Sequence, residues 1–439
     1  MKYSLLLIFS LFTATCINTQ NLYLNTKTPY QPQQIKHTSP PKNYTPVFIN
    51  YVGRHGARFL TSKGNDVLVA DVLQQAQQQH ALTPIGEMIL KQVQQLVNIS
   101  TNNYGNITLL GEEEQHAIAA RMQKEYAPVF SKGKLMIEMT SKVRTQQSAT
   151  AFLSGLSGYD STHIQSYIFP ADADSILRFY DLSAAYKTYE ESTDVKQHID
   201  SLKNDKQTLL MANNVCSKIF TNAFINQLNK GEIKSSNITK TQAVTTTNFS
   251  FALYEVYCML FSVTKEMQLT DKTFSNNYKA AFTDNDLAWF DKITSVEDFY
   301  EKGPAENANG IQVTIASPLL RNMLNTTDSM IEHKTYDGIF RFTHAEAISP
   351  LATLMEIPQA SKTSNSVFDF SRNWNAAYII PLSANIQWIL YSNGSNYLIK
   401  VLLNEKEVAL PVKTNSFPYY NWNDVKEYYS KKLSGVDSK

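Results

Sequence analysis

Two short segments bring together residue types suited to phosphate chemistry. The first is Arg54-His55-Gly56-Ala57-Arg58. It sets two guanidinium groups on either side of one imidazole, with a glycine that lets the backbone turn tightly. Guanidinium forks match phosphate oxygens in a bidentate way that an ammonium cannot copy. A neutral imidazole is a nucleophile or a base. The second segment is Thr343-His344-Ala345-Glu346. Here His344 can donate to an anionic oxygen and Glu346 can carry a proton. Read singly, His344 also fits a satisfied core histidine, and Glu346 a carboxylate favoured by a helix N-terminus. A third piece is Arg144, in Val143-Arg144-Thr145-Gln146; alone it reads as a solvated or capping cation rather than a ligand. Only 8 of the 40 basic residues are Arg, so an Arg cluster stands above the background of this chain.

These groups need elements to hold them. Val47 to Val52 is a β-rich apolar run that ends on the first motif. Helical patterns follow over about 66–80, 84–97 and 111–128, the last with Glu112, Glu113 and Glu114 in its first turn. A second strand is predicted over Leu135 to Met139, and a helix from Ala149 onward. Between about 155 and 320 the chain reads as helical, with long patterns around 191–229 and 250–268 and few strand signals. Strand character returns at Gly338 to Phe342, then a helix over Ala347 to Met355, then strands over Ile386 to Tyr391 and Tyr397 to Leu403. The pattern predicts an α/β fold with a central, mostly parallel sheet flanked by helices and an inserted, mainly helical domain. The expected divisions are a leader over 1–20, an α/β part over 21–154, the helical insertion over 155–325, and a second α/β part over 326–439. Both motifs follow strands, and open α/β sheets collect ligands beyond the carboxyl ends of their strands.

Composition bounds the partners. Forty Lys+Arg against 39 Asp+Glu gives a net charge of +1 across 439 residues, which argues against a nucleic-acid coat. The 43% hydrophobic content argues against wholesale disorder. Lys2 followed by an apolar run from Leu5 to Phe12 has the pattern of an export leader, cleaved between Thr15 and Gln20. Thr13-Ala14-Thr15 is a poor lipobox, which disfavours lipid anchoring at Cys16. No later stretch predicts a membrane helix. Cys216 and Cys258 read either as one disulfide or as two buried thiols. No Cys/His spacing resembles a zinc site. Seven Asn-x-Ser/Thr sequons start at Asn43, Asn98, Asn106, Asn237, Asn248, Asn325 and Asn393; in so Asn-rich a chain they do not show glycosylation.

Taken together the motifs resemble the histidine acid phosphatase superfamily, in its multiple inositol polyphosphate phosphatase (phytase) branch. The hallmark R-H-G-x-R and the distal His-Ala-Glu carry the likeness. Leu109 to Glu114 with Arg121, Ile176-Leu177-Arg178-Phe179-Tyr180-Asp181, Pro381 to Asn385 and Val401 to Lys406 look like further family segments. Arg58-Phe59-Leu60-Thr61 departs from the frequent R-Y-P-T; it alters loop stiffness and removes no catalytic group.

The resemblance implies a phosphoglycerate-mutase-like fold and an exported, secreted or periplasmic, phosphatase acting on phytate. His55 would attack phosphorus to give a phosphohistidine. Arg54, Arg58, Arg144 and His344 would bind the transferring phosphoryl group, and Glu346 would protonate the leaving oxygen. Lys63 and Arg178 are candidates for further substrate phosphates. No metal or other cofactor is required by this scheme. The partners expected are small inositol polyphosphates, with no nucleic acid and no stable membrane insertion. A general histidine acid phosphatase on sugar phosphates or bisphosphoglycerate is the alternative within enzymes. A non-catalytic phosphate-binding protein on the same fold is the alternative outside them.

Overall fold

The computed structural model describes residues 22–131, 133–235 and 242–437. The expected leader, Cys16 and the sequon at Asn237 lie outside the described residues.

An eight-stranded sheet forms the centre. Strands β1 (Thr45–Arg54), β2 (Leu135–Met139) and β3 (Ile164–Ile168) come first. A small hairpin, β4 (Lys234–Ser235) with β5 (Gln242–Ala243), stands apart from the sheet. Strands β6 (Gly338–Thr343), β7 (Asn385–Ser392), β8 (Tyr397–Leu403), β9 (Lys406–Glu407) and β10 (Tyr420–Asn421) complete it. The order is β10-β8-β7-β1-β6-β2-β3, with β9 beside β8. From β1 to β3 the pairings are parallel; from β1 through β7 and β8 they are antiparallel. The sheet flanked by helices is the architecture the sequence predicts, but the sheet is mixed rather than mostly parallel: three pairings are parallel and four antiparallel, because β7 to β9 follow one another through short connections that reverse the chain.

Alternation along β1 feeds two cores. Phe48 and Val52 face one apolar layer, with Trp388, Ile348 and Leu320. Ile49 and Tyr51 face the other, with Phe340, Phe342, Ile118 and Phe152. Both faces of β1 are therefore covered, as a parallel-sheet centre requires. Inside the first layer Arg341 of β6 is fully buried, 2.8 Å from the Glu138 carboxylate and hydrogen-bonded to Asn50 and Asn322. A third core joins helices Asn65–Gln78, Pro84–Ser100, Lys206–Ile219 and Thr246–Thr270.

Three local expectations change. The helix expected from Ala149 starts at Val143 and runs to Ser154. The Thr145 hydroxyl bonds the Lys142 carbonyl at 2.7 Å and anchors a first turn that propensity alone disfavours. Residues 164–168, which read as helical, form edge strand β3; its mostly exposed side chains leave no apolar signature. The long pattern over 191–229 breaks into Thr193–Lys203, Lys206–Ile219 and Asn222–Asn229. Asp205 caps the second of these by accepting from the Gln207 amide. Cys216 and Cys258 are buried free thiols rather than a disulfide. Among the described residues no helix is long and apolar enough to cross a membrane.

Candidate active site

Arg54 ends β1, and the register places it opposite Thr343 at the end of β6. The two motifs are thus neighbours because their strands are. The His55 amide donates to the Thr343 carbonyl at 3.0 Å, and the Ser383 amide donates to the His55 carbonyl at 3.1 Å. Beyond His55 nearly every peptide is held. The Gly56 amide donates to the Ser148 hydroxyl at 3.0 Å, and the Ala57 amide to Glu114 at 2.9 Å. Gln115 donates to the Arg54 carbonyl at 3.0 Å. A Cβ at Gly56 would lie 2.6 Å from the Gly111 carbonyl oxygen, so the turn packs on helix Leu109–Glu125 without room for a side chain. Glu114 is the hub beneath: its buried carboxylate also accepts from the Tyr30 amide and the Ser383 hydroxyl, both at 2.8 Å.

His55 is 3% exposed. Its Nδ1 lies 2.9 Å from the Gly56 carbonyl, which can only accept. The proton therefore sits on Nδ1 and the lone pair on Nε2. Burial, then the charges of Arg54 and Arg58, then His344 and Arg144, hold the imidazole well below its ordinary 6.5. His55 is a neutral imidazole with a fixed tautomer.

His344 occupies the position just before helix Ala345–Leu354 without a side-chain capping bond, its ring 5.5 Å from that of His55 between centroids. The Arg178 guanidinium reaches His344 Nε2 at 3.3 Å, with the Thr140 hydroxyl at 3.2 Å. Guanidinium only donates, so Nε2 accepts and Nδ1 carries the N–H. Burial and the Arg144 charge lead in keeping this ring neutral too. His344 Nδ1 is buried without a hydrogen-bond partner, and so are the Nε atoms of Arg54, Arg58 and Arg144. Each buried unpaired donor costs about 1–3 kcal/mol. Four such donors, three on guanidinium groups whose charges act on His55 and one on the His344 ring beside it, make a site suited to an oxyanion. The rest of Arg54 is anchored: its NH1 donates to the carbonyls of Thr26 and Ile380, both at 2.6 Å.

Glu346 stands in the first turn of the same helix, with 40% of its side chain open. Burial pushes its carboxyl up, but Lys302, His344, its own helix-terminal N–H and Arg54 together pull it well below the usual carboxylate range. Lys302 Nζ lies 3.6 Å from Glu346 and 2.9 Å from Asp298.

The structure brings together Arg54, His55, Arg58, Arg144, His344 and Glu346. Arg178 lies closer than expected for an outer contact, bonded to His344 and paired with Asp181. Lys63 is exposed in the bend before helix Asn65–Gln78. Sequence reasoning read Glu114, with Glu112 and Glu113, as helix-dipole charge and did not anticipate its buried role. It also missed Thr140 and Lys302, which carry no local signal. Among the described residues no three His, Cys, Asp or Glu side chains converge as a metal-binding group. Two cavities, one including Asn322 and one including Glu138, adjoin the Arg341 network and contain none of the motif residues.

The family model described as histidine phosphatase superfamily (branch 2) matches residues 47–404. No curated protein matches at the sequence level. Among solved structures, the Bifidobacterium longum multiple inositol polyphosphate phosphatase in complex with inositol hexasulfate superposes with a TM-score of 0.82 at 22% identity, covering 93% of this chain and 97% of that one. The D. castellii phytase gives 0.69 at 17% identity, covering 94% and 85%. The Hafnia alvei phytase in complex with myo-inositol hexakis sulphate gives 0.52 at 12% identity, covering 90% and 99%. At these identities the likeness is one of fold.

Proposed function

The chain belongs to the histidine phosphatase superfamily (branch 2), and on that premise we propose that it removes phosphate from inositol hexakisphosphate and lower inositol polyphosphates. The observation that carries this reading is the set of four unpartnered buried N–H groups around a neutral His55.

His55 Nε2 attacks phosphorus while the bond from phosphorus to the inositol oxygen breaks. The Glu346 carboxyl gives its proton to the departing oxygen, leaving a phosphohistidine and a Glu346 carboxylate. Water then attacks phosphorus, the P–N bond breaks, and Glu346 takes the water proton. Arg54, Arg58, Arg144 and His344 hold the equatorial oxygens throughout, where charge is spread in the transition state. The protein's own charges keep Glu346 ionised. A substrate dense in negative charge reverses that field and favours the acid form, which supports a polyphosphate over a simple monoester. Arg178 and Lys63 offer cations for phosphates other than the one transferred. Export by an N-terminal leader, with action outside the cytoplasm, completes the reading.

The test is a pair of specificity constants with inositol phosphate profiling over time. Phytate is expected to exceed a simple aryl phosphate in kcat/KM, with successive lower inositol phosphates and full activity in a chelator. Aryl or sugar phosphates preferred over phytate would overturn the substrate assignment.

A further inference from the structure

We propose that Lys302 is a positioning residue for Glu346, holding its carboxylate beside the His55–His344 pair and setting the pH at which it can deliver a proton. The inference rests on the reading of Glu346 as proton donor and adds a regulator to it.

Lys302 is the last residue of helix Asp284–Lys302, far in sequence from both motifs. Its side chain is 11% exposed. The ion pair with Asp298, one turn back at 2.9 Å, fixes its direction, and Glu346 Oε1 lies 3.6 Å beyond. The next residue, Gly303, is packed on its own helix: a Cβ there would lie 2.7 Å from the Phe299 carbonyl oxygen. Lys302 is thus held at both its backbone and its ammonium.

Several charged and titratable groups face Glu346. Helix Asp284–Lys302 brings Lys302 with Asp298 beside it, and helix Ala184–Glu190 brings Glu190. Tyr180 approaches from helix Phe179–Leu182, and Arg144 from helix Val143–Ser154. Arg54, Arg58 and His344 complete the set from the strand ends. Among the cations Lys302 acts most strongly. The Arg side chains carry the unpartnered N–H groups and belong to the phosphoryl group; Lys302 is joined to carboxylates. Its attraction opposes protonation of Glu346 until neighbouring substrate phosphates take up the ammonium charge. Proton uptake by the acid is in this way tied to arrival of a polyanion.

The experiment is a set of pH–rate profiles of kcat/KM for wild type, K302M, K302Q, K302R and E346Q. Each is measured with phytate and with an aryl phosphate whose leaving group departs without a proton. Removing the cation raises the Glu346 pKa, so the protonated form persists to higher pH. The alkaline limb with phytate is expected to move up by about one pH unit in K302M. K302R should keep the wild-type limb, and the aryl phosphate should show no shift. K302Q carries the same expectation if K302M does not fold. A phytate limb that stays in place in K302M and K302Q, while E346Q has lost it, overturns the role of Lys302 alone. An equal loss of rate on both substrates with unmoved limbs does the same, since it marks a structural role. An E346Q profile that keeps the limb overturns the reading of Glu346 itself.

Discussion

The imidazoles of His55 and His344 meet edge to face, 63° between planes, although 289 positions separate them in the chain. Their strands are parallel neighbours in register, so both rings leave the sheet at one level. Each ring has its tautomer fixed by the partner of one nitrogen, and the two assignments are complementary. His55 presents a lone pair and His344 an N–H, as the proposed roles of nucleophile and oxyanion donor require.

Replacing the proposed nucleophile should be the most damaging change. H55A is expected to lose at least ~10³-fold in kcat, while still binding inositol hexasulfate. Wild type quenched in alkaline denaturant, where the P–N bond survives, should carry phosphate on His55. Turnover surviving in H55A would remove His55 from the chemistry.

A charge-conserving change at Arg58 should also fail. R58K keeps a cation but loses the planar fork and the unpartnered Nε. We expect kcat/KM to fall by ~10²–10³-fold. A wild-type value in R58K would show that point charge alone suffices there.

The cost of losing the proposed acid should depend on the leaving group. E346Q is expected to lower kcat on phytate by ~10²–10⁴-fold and to affect an activated aryl phosphate far less. Equal losses on both would place Glu346 outside proton transfer.

The N-terminal arm contains a charged latch. His37 Nδ1 lies 2.6 Å from the Glu125 carboxylate and its Nε2 lies 2.7 Å from the Glu405 carbonyl. Both partners accept, so both ring nitrogens carry protons and His37 is an imidazolium. Burial opposes this charge, but the bonds to Glu125 and Glu405 outweigh it and raise the pKa above 6.5. The stabilisation is therefore complete below the unfolded value and is lost as pH rises through the folded one. Tm should fall across that window in wild type and change less in H37Q. Parallel pH profiles for the two proteins would dismiss the latch.

Arg341 makes the sheet core sensitive to one carboxylate. E138Q leaves a fully buried guanidinium without its anion and should cost about 3–5 kcal/mol in denaturant unfolding. A loss below about 1 kcal/mol would mean that Asn50 and Asn322 alone satisfy Arg341.

Strands with apolar alternation or a continuous apolar run were legible in the chain: β1, β2, β6, β7 and β8 fall within two residues of their expected bounds. β3 was not, because an exposed edge strand has no hydrophobic period to read. The Arg and His groups of the two motifs were legible because their types are scarce and their spacing is local. Lys302 and Thr140 were not, since their roles come from long-range packing that no local pattern encodes. Glu114 was visible but misread, since burial and not position in the helix decides its work.

The N-terminal arm that contains Thr26 and Tyr30 has a consequence for proteolytic trimming. Thr26 supplies a carbonyl to Arg54, and Tyr30 supplies an amide to Glu114. An aminopeptidase that erodes the chain past Thr26 would strip a guanidinium of an anchor while leaving every motif residue in place. Loss of activity would then precede loss of fold, and mass spectrometry of the intact chain would date it.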